Sequence, residues 1–377
     1  MPVSVSWTQA LAWRLERQLL DPVGAVSADD VVRRLGAVQA QVLSAAALAI
    51  RVRRAASGVD DVDDALVAGR LVRTWAMRGA LHLLAPDTGP AFLALMAASR
   101  PWAKPAWDRY FGMTPRLWDA YRDAADEALA GRTLSREELI DAITAAPGLE
   151  HVGEGLRSSW GTMLKPLAWQ GVLCLGPSRG GRATFRRPVD SGPAWTGLPE
   201  PDVAGSLAAR AYFGAYGPAT IRAYHRWLGT GWRGPRASLR RIVEDLGVPL
   251  AEVDLEGEAA YALKEHVEAL GAARPSSAVR LLPGFDAWVL GPGTADDHVI
   301  PAARRRAVSR QAGWISPIVV VGGVVAGTWQ LDGDRIAIAS FDEVTRPAQV
   351  QLRKEVDRLA RIVGRDLTLE VSSAPPA

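Results

Sequence analysis

The sequence predicts an α+β fold: three consecutive units, each of three helices and a β-hairpin, followed by a small antiparallel β-barrel or sheet. Three observations predict it. Segments with apolar residues at helical spacing, opened by capping residues, come in groups of three. Each group is followed by two short extended runs around a turn. From about Arg274 the texture becomes β-branched and glycine-punctuated, as in strands.

The elements follow in order. "SWTQALAWRLERQLL" has Ser6 as N-cap and Leu11, Leu15 and Leu19 at helical spacing. "SADDVVRRLG" opens on Ser27 with Asp30 three residues on, and stops at Gly36. "VLSAAALAIRVRR" puts Val42, Ala46 and Ile50 on one helical face, and "LVRTWAMRGALHLLAP" reads as a hairpin around Arg78-Gly79. Three helices and a hairpin make a winged helix, so 1–87 is assigned as the first, with a helical connector over 88–113. The second, 114–195, has a helix from Thr114 or Pro115 to Gly131 and a capping box at Ser135 and Glu138. Its third helix is expected to kink at Pro166, and its hairpin tip carries Arg179, Gly180, Gly181 and Arg182. "TGLPEPD" is the linker. The third unit, 202–270, has helices in "DVAGSLAARAYFGAYG", "PATIRAYHRWLG" and "RASLRRIVEDLG", then a hairpin turning at Glu256-Gly257. The β-barrel or sheet covers 274–342, an amphipathic helix 345–364, and the tail "SSAPPA" reads as disordered.

Composition bounds the chemistry. With 377 residues, 48% of them hydrophobic, the chain is long enough for several packed cores. No apolar run reaches membrane-spanning length and the N-terminus lacks a signal-like stretch, so a soluble, cytoplasmic protein is expected. Cys174 is the one cysteine and the five histidines are scattered, which gives no support to a disulfide framework, a metal site or another cofactor. The fourteen tryptophans, Trp13, Trp75 and Trp160 among them, mostly sit in apolar periodic segments and read as core.

Net charge is only +3, but just four of the 44 basic residues are lysines. A GC-rich genome explains arginine excess by itself. Arginine also suits phosphate, because its planar fork meets two oxygens at once. Basic residues fall where a winged helix would touch DNA, with Arg51, Arg53 and Arg54 ending the third helix, Arg78 and His82 on the first hairpin, and Arg179, Arg182, Arg186 and Arg187 on the second; a further run, Arg304, Arg305, Arg306 and Arg310, lies outside the winged helices, just before the last strands. Each cluster alone reads as a solvated face; together they favour duplex DNA as partner, bound with strong salt dependence. His82 is weighed as a DNA contact or a helper in catalysis.

One stretch is left over. In "LGAVQAQVLS", Gln39 and Gln41 flank one alanine in an apolar run. Two apart on an extended segment, they point the same way. The bland reading is that they cap helix ends or satisfy loop backbone, since a buried amide is costly unless its hydrogen bonds are met.

"AVQAQ", "RTWAMRGALHLLAP", "LLPGFDAWVLG" and "SPIVVVGGVVAGTW" together resemble the AlkZ-type winged-helix DNA glycosylases, the bacterial family that also holds the YcaQ branch, over nearly the whole chain. The resemblance implies three tandem winged helices and a β-barrel in a C shape, and a catalytic Gln-x-Gln carried by Gln39 and Gln41. It implies unhooking of interstrand crosslinks at N7-alkylguanine, in DNA repair or in self-resistance to a genotoxic natural product, by a monomer without cofactor acting on double-stranded DNA with alkylated or crosslinked guanine. One departure is that relatives usually carry an Asp-Arg pair soon after "FDAWVLG", where this chain reads "ADDHV". Two other classes stay open on the residues alone: a non-catalytic winged-helix transcriptional regulator, and a scaffold whose wings bind protein. Neither explains the glutamine pair.

Overall fold

The computed structural model describes residues 2–158, 161–229, 241–343 and 345–374. They pack as two compact units: Met1–Val62, Ala209–Trp227 and Gly247–Ala377 form the first, Asp63–Ala208 and Leu228–Leu246 the second.

The first unit begins with a strand that the sequence reading lacks, β1 (Val3–Val5). Ser6 then opens α1 (Trp7–Arg17) with a capping box to Gln9, and Ser27 opens α2 (Ala28–Leu35) with one to Asp30. Gly36, at φ 79°, lets the chain leave α2 in a conformation that a side chain would resist. The short strand β2 (Val38–Gln39) and α3 (Leu43–Arg51) follow, then α4 (Asp61–Val67).

In the second unit β3 (Val72–Trp75) and β4 (Leu81–Leu84) form the expected hairpin, in register from Val72 opposite Leu84 to Trp75 opposite Leu81. The connector is α5 (Pro90–Ala98) and α6 (Pro105–Phe111); α7 (Pro115–Leu129) is capped by Thr114. After β5 (Leu134–Ser135), α8 (Arg136–Thr144) carries the Ser135–Glu138 capping box. The third helix corrects the sequence reading. It is two helices, α9 (Gly153–Arg157) and α10 (Leu164–Trp169), separated where Ser158 turns extended, and Pro166 sits in the first turn of α10 where its missing N–H breaks no bond. Strands β6 (Cys174–Leu175) and β7 (Thr184–Arg186) make the second hairpin. Both hairpins belong to one sheet, with strands in the order β4-β3-β6-β7-β5. Helix α11 (Pro201–Tyr216) comes next, its residues from Ala209 on belonging to the first unit, as does α12 (Ile221–Leu228) up to Trp227. Of the helix expected in "RASLRRIVEDLG" only the end is described, as a helical turn over Arg241–Asp245.

Back in the first unit, β8 (Leu250–Leu255) and β9 (Glu258–Leu263) turn at Glu256 and Gly257, whose φ values of 50° and 90° suit the tight hairpin turn foreseen there. β1 joins this hairpin parallel to β8, Val3 opposite Val253. After α13 (Val267–Gly271) come β10 (Val279–Leu282), α14 (Ala287–Leu290), α15 (Arg305–Val308), β11 (Ile318–Val321), β12 (Val324–Asp332), β13 (Arg335–Ser340), α16 (Arg346–Val363) and β14 (Thr368–Ser373). Of the barrel or sheet expected here the sheet is found, in the order β10-β11-β12-β13-β14, and it is not wholly antiparallel. The helix α16 carries the chain back so that β14 pairs parallel to β13, Arg335 opposite Thr368 through Ser340 opposite Ser373. Ser372 and Ser373 of the tail expected to be disordered are therefore ladder residues; 375–377 lie outside the described residues, as does Trp160.

The helix α1 is apolar on two faces and buries both. Ala10 and Trp13 pack with Val253, Leu255 and Ala260 of the three-stranded sheet. Leu11 and Leu15 pack with Val279, Leu281 and Trp329 of the five-stranded one and with Trp288 of α14. Among the described residues no helix is long and apolar enough to cross a membrane, and no three His, Cys, Asp or Glu side chains group to hold a metal ion.

Candidate active site

Gln39 ends β2, and Gln41 lies in the bend before α3. Along this segment Val38 and Ala40 are buried, Gln39 is half-buried and Gln41 is exposed. That alternation is what an extended segment gives, with the alanine inward and the two amides on the other side. The N-cap of α3 is Val42, which makes no side-chain capping bond.

Both ends of the segment are anchored. Upstream, Val31, Val32 and Leu35 of α2 are fully buried, and the Leu35 carbonyl accepts from the Tyr216 hydroxyl at 3.0 Å. Downstream, α3 runs into Arg53, whose guanidinium is wholly buried and grips wholly buried Asp286 through both forks, at 2.8 and 2.7 Å. Arg53 also donates to the Ala49 carbonyl at 2.8 Å, while Asp286 accepts from the Trp288 amide at 2.8 Å. A bidentate arginine–carboxylate pair fixes direction as well as distance. It ties the end of α3, the helix that follows "AVQAQ", to the "FDAW" segment, and "AVQAQ" and "FDAW" lie in two of the stretches that carried the resemblance. Arg53, grouped with the DNA-facing arginines in the sequence reading, is a structural cation.

The other expected site residues divide by exposure. Arg51 is buried, and burial followed by the opposing attraction of Asp61 and Asp60 leaves its pKa lowered. Arg54 donates to the Val26 carbonyl at 2.7 Å and pairs with Asp61. His82 is 2% exposed; burial first, then nearby Arg78, push its pKa down to about 3, so the ring is neutral, with Nδ1 2.9 Å from the Ala80 carbonyl. Arg304 donates to the Phe341 carbonyl at 2.6 Å and lies over that ring, and Arg305 pairs with Asp297. Surface remains at Arg78, which holds a positive φ of 56° at its hairpin tip, at Arg179 and Arg182 on the second tip, and at Arg306. Arg179 already touches Glu138 at 3.5 Å and the Thr133 carbonyl at 3.0 Å. In the "ADDHV" departure, Asp296 sits 3.9 Å from buried Arg14 and 3.3 Å from His298, whose ring stacks on Trp7 at 3.6 Å.

A family model for "DNA glycosylase AlkZ-like" matches residues 32–362, which include the glutamine segment, the Arg53–Asp286 pair and the five-stranded sheet as far as β13. The chain belongs to the AlkZ-like DNA glycosylase family. One member, an interstrand DNA cross-link repair glycosylase of Streptomyces sahachiroi, is 44% identical over 363 residues, 96% of this chain and 98% of that protein. The solved structure of Streptomyces sahachiroi DNA glycosylase AlkZ superposes with a TM-score of 0.92, covering 98% of this chain and all of that one. The open five-stranded sheet and the N-terminal β1 thus stand within an α+β fold shared with AlkZ at this level of similarity.

Proposed function

We propose that the chain is a monofunctional DNA glycosylase that hydrolyses the N-glycosidic bond of N7-alkylguanine in duplex DNA, including guanine crosslinked to the opposite strand. The observation that carries this reading is the pair of amides, Gln39 half-buried and Gln41 exposed, projected from a segment anchored at both ends in a chain 44% identical to an interstrand cross-link repair glycosylase.

The chemistry fits two neutral amides. Alkylation at N7 places a positive charge on guanine, so the base leaves without protonation by a strong acid. Water attacks C1′ as the C1′–N9 bond breaks; the bonding pair neutralises the purine, and the water's proton passes to solvent. The motif has only to hold that water and tolerate a sugar with oxocarbenium character. Orientation of a nucleophile contributes up to roughly 7–11 kcal/mol in favourable systems, enough for an already activated bond. A carboxylate would stabilise the cationic sugar more strongly; a motif without one restricts the enzyme to cationic lesions. A crosslinked guanine cannot swing freely into an enclosed pocket as in ordinary base flipping, so the sugar is reached within the duplex, in a groove formed by winged helices arranged in tandem. The accessible Arg78, Arg179, Arg182 and Arg306 meet phosphates there, with no cofactor, on a monomer in the cytoplasm. Repair, or self-resistance to a DNA-crosslinking natural product, is the role.

The test is abasic-site formation on duplexes carrying one N7-methylguanine, one N7-guanine crosslink or one uracil. Release from the first two, none from uracil, and indifference to a chelator are expected. Tight duplex binding without abasic sites would instead mark a non-catalytic regulator; efficient uracil excision would overturn the mechanism.

A further inference from the structure

Within the first unit, a cavity of about 480 Å³ lies where α1 and α2 end beside α11, and four arginines line it: Arg17, Arg33, Arg34 and Arg210. Their surroundings differ. Arg33 is satisfied by Asp29 and Asp30 at 2.8 and 2.7 Å, and Asp30 is further engaged by Ser27. Arg17 donates to the Gly214 carbonyl at 3.0 Å and rests against Trp13, but makes no ion pair among the described residues. Arg210 reaches only the Gly247 carbonyl, at 3.5 Å, and Arg34 has no partner among the described residues. The one other carboxylate on the wall, Glu265, is mostly exposed to water. His266 lines the same cavity, 9% exposed; its Nε2 lies 3.8 Å from Glu265 Oε1, and its buried Nδ1 has no partner among the described residues.

Arg17 and Arg34 thus lie close enough to act on each other, and the exposed Arg210 lines the same cavity, with little to balance the three. Burial and then Arg34 lower the pKa of Arg17, and burial and then Arg17 lower that of His266, against a smaller opposing pull from Glu265 on both. Like charges held together at a partly buried surface repel, and an oxyanion that accepts from several forks at once relieves that repulsion.

We propose that this cavity is a phosphate-binding site, formed by Arg17, Arg34 and Arg210, that takes a phosphodiester of the substrate duplex a few nucleotides from the lesion. None of the three belongs to the arginine clusters read from the sequence. The duplex is favoured as the source of the phosphate by distance along the chain. Arg34 precedes Gln39 by five residues, which span at most about 17 Å, or about five rises of one DNA strand at roughly 3.4 Å each. That separation lies within the span of one bound duplex. The assignment rests on DNA being the substrate, and its test uses undamaged DNA so that it does not depend on base release.

The test is the variant Arg34→Ala/Arg210→Ala, both positions lacking ion pairs, with the exposed single change Arg210→Ala as a second variant if the double one melts early. Binding to undamaged duplexes of several sequences is titrated by fluorescence anisotropy against salt. The expected result is weaker binding to every sequence, with the slope of log affinity against log salt reduced by about 0.9 per lost phosphate contact, and most of the slope kept in Arg34→Lys/Arg210→Lys. In a parallel arm, inorganic phosphate and tripolyphosphate are tested for a rise in melting temperature. Affinity and slope equal to the wild type would overturn the proposal, and stabilisation by phosphate that is lost in the variant while DNA binding stays unchanged would overturn the duplex as its ligand. A protein that shows the slope change but releases no base refutes the glycosylase reading and leaves the phosphate site standing.

Discussion

Removing the carboxylate of Asp286 tests what holds the glutamine segment in place. Arg53 and Asp286 are both wholly buried and joined by two short bonds, so Asp286→Ala leaves a guanidinium in the core with no counter-charge. Breaking one side of such a pair costs about 3–5 kcal/mol. The Trp288 amide also loses its cap at 2.8 Å, which adds about 1 kcal/mol. The sum, about 4–6 kcal/mol, is a large part of the roughly 5–15 kcal/mol by which proteins are stable. With a urea dependence near 3 kcal/mol per molar, the unfolding midpoint followed by tryptophan fluorescence falls by about 1.3–2 M. Replacing both partners with apolar residues, Arg53→Met/Asp286→Leu, removes the stranded charge and recovers most of the loss. If the single variant moves the midpoint by less than about 0.3 M, or the double variant is no more stable than the single, the pair is not the anchor described.

Three further outcomes follow from the geometry. His82 is held neutral with its pKa near 3 against 6.5 when unfolded, so the unfolded chain takes up a proton first as pH falls; stability from this group is complete above about pH 6.5 and is lost between 6.5 and 3. Urea titrations of wild type and His82→Gln at pH 7 and 4 should show the smaller loss in the variant. The Cys174 thiol is buried and pushed up to about 11 by that burial; a disulfide reagent at pH 8 should leave it untouched until the protein is unfolded. Arg179→Ala/Arg182→Ala, at an exposed hairpin tip, should weaken binding to all duplexes alike and flatten the salt slope by about one unit per contact; a loss confined to one sequence would indicate base readout.

Much of this molecule is legible in its sequence because the signals are local. Ser6, Ser27 and Ser135 each announce a helix start, the latter two with a partner three residues on, and each forms a capping box. The turn at Glu256-Gly257 and the hairpin tip at Gly180-Gly181 are where their conformations require them. What escaped was set by distant packing. Val3–Val5 is too short to read as a strand until Val253 lies beside it. The parallel β14 depends on where α16 returns the chain. "RVRR" offers nothing to separate Arg53, sunk against a carboxylate 233 residues away, from its neighbours. The Gln-x-Gln pair stood out because two long amides flanking an alanine are unusual in an apolar run. The Arg17, Arg34 and Arg210 group did not, because α1, α2 and α11 bring it together.

The most direct test of the central claim, that Gln39 and Gln41 together hold the attacking water, is single-turnover base release from an N7-methylguanine duplex by Gln39→Ala and Gln41→Ala, measured beside their affinity for the same DNA. Loss of a positioned water costs about 2–4 kcal/mol, so each variant should be roughly thirty to a thousand times slower while binding the duplex as the wild type does. Two variants that both release the base at the full rate would contradict it, and the glutamines would be structural.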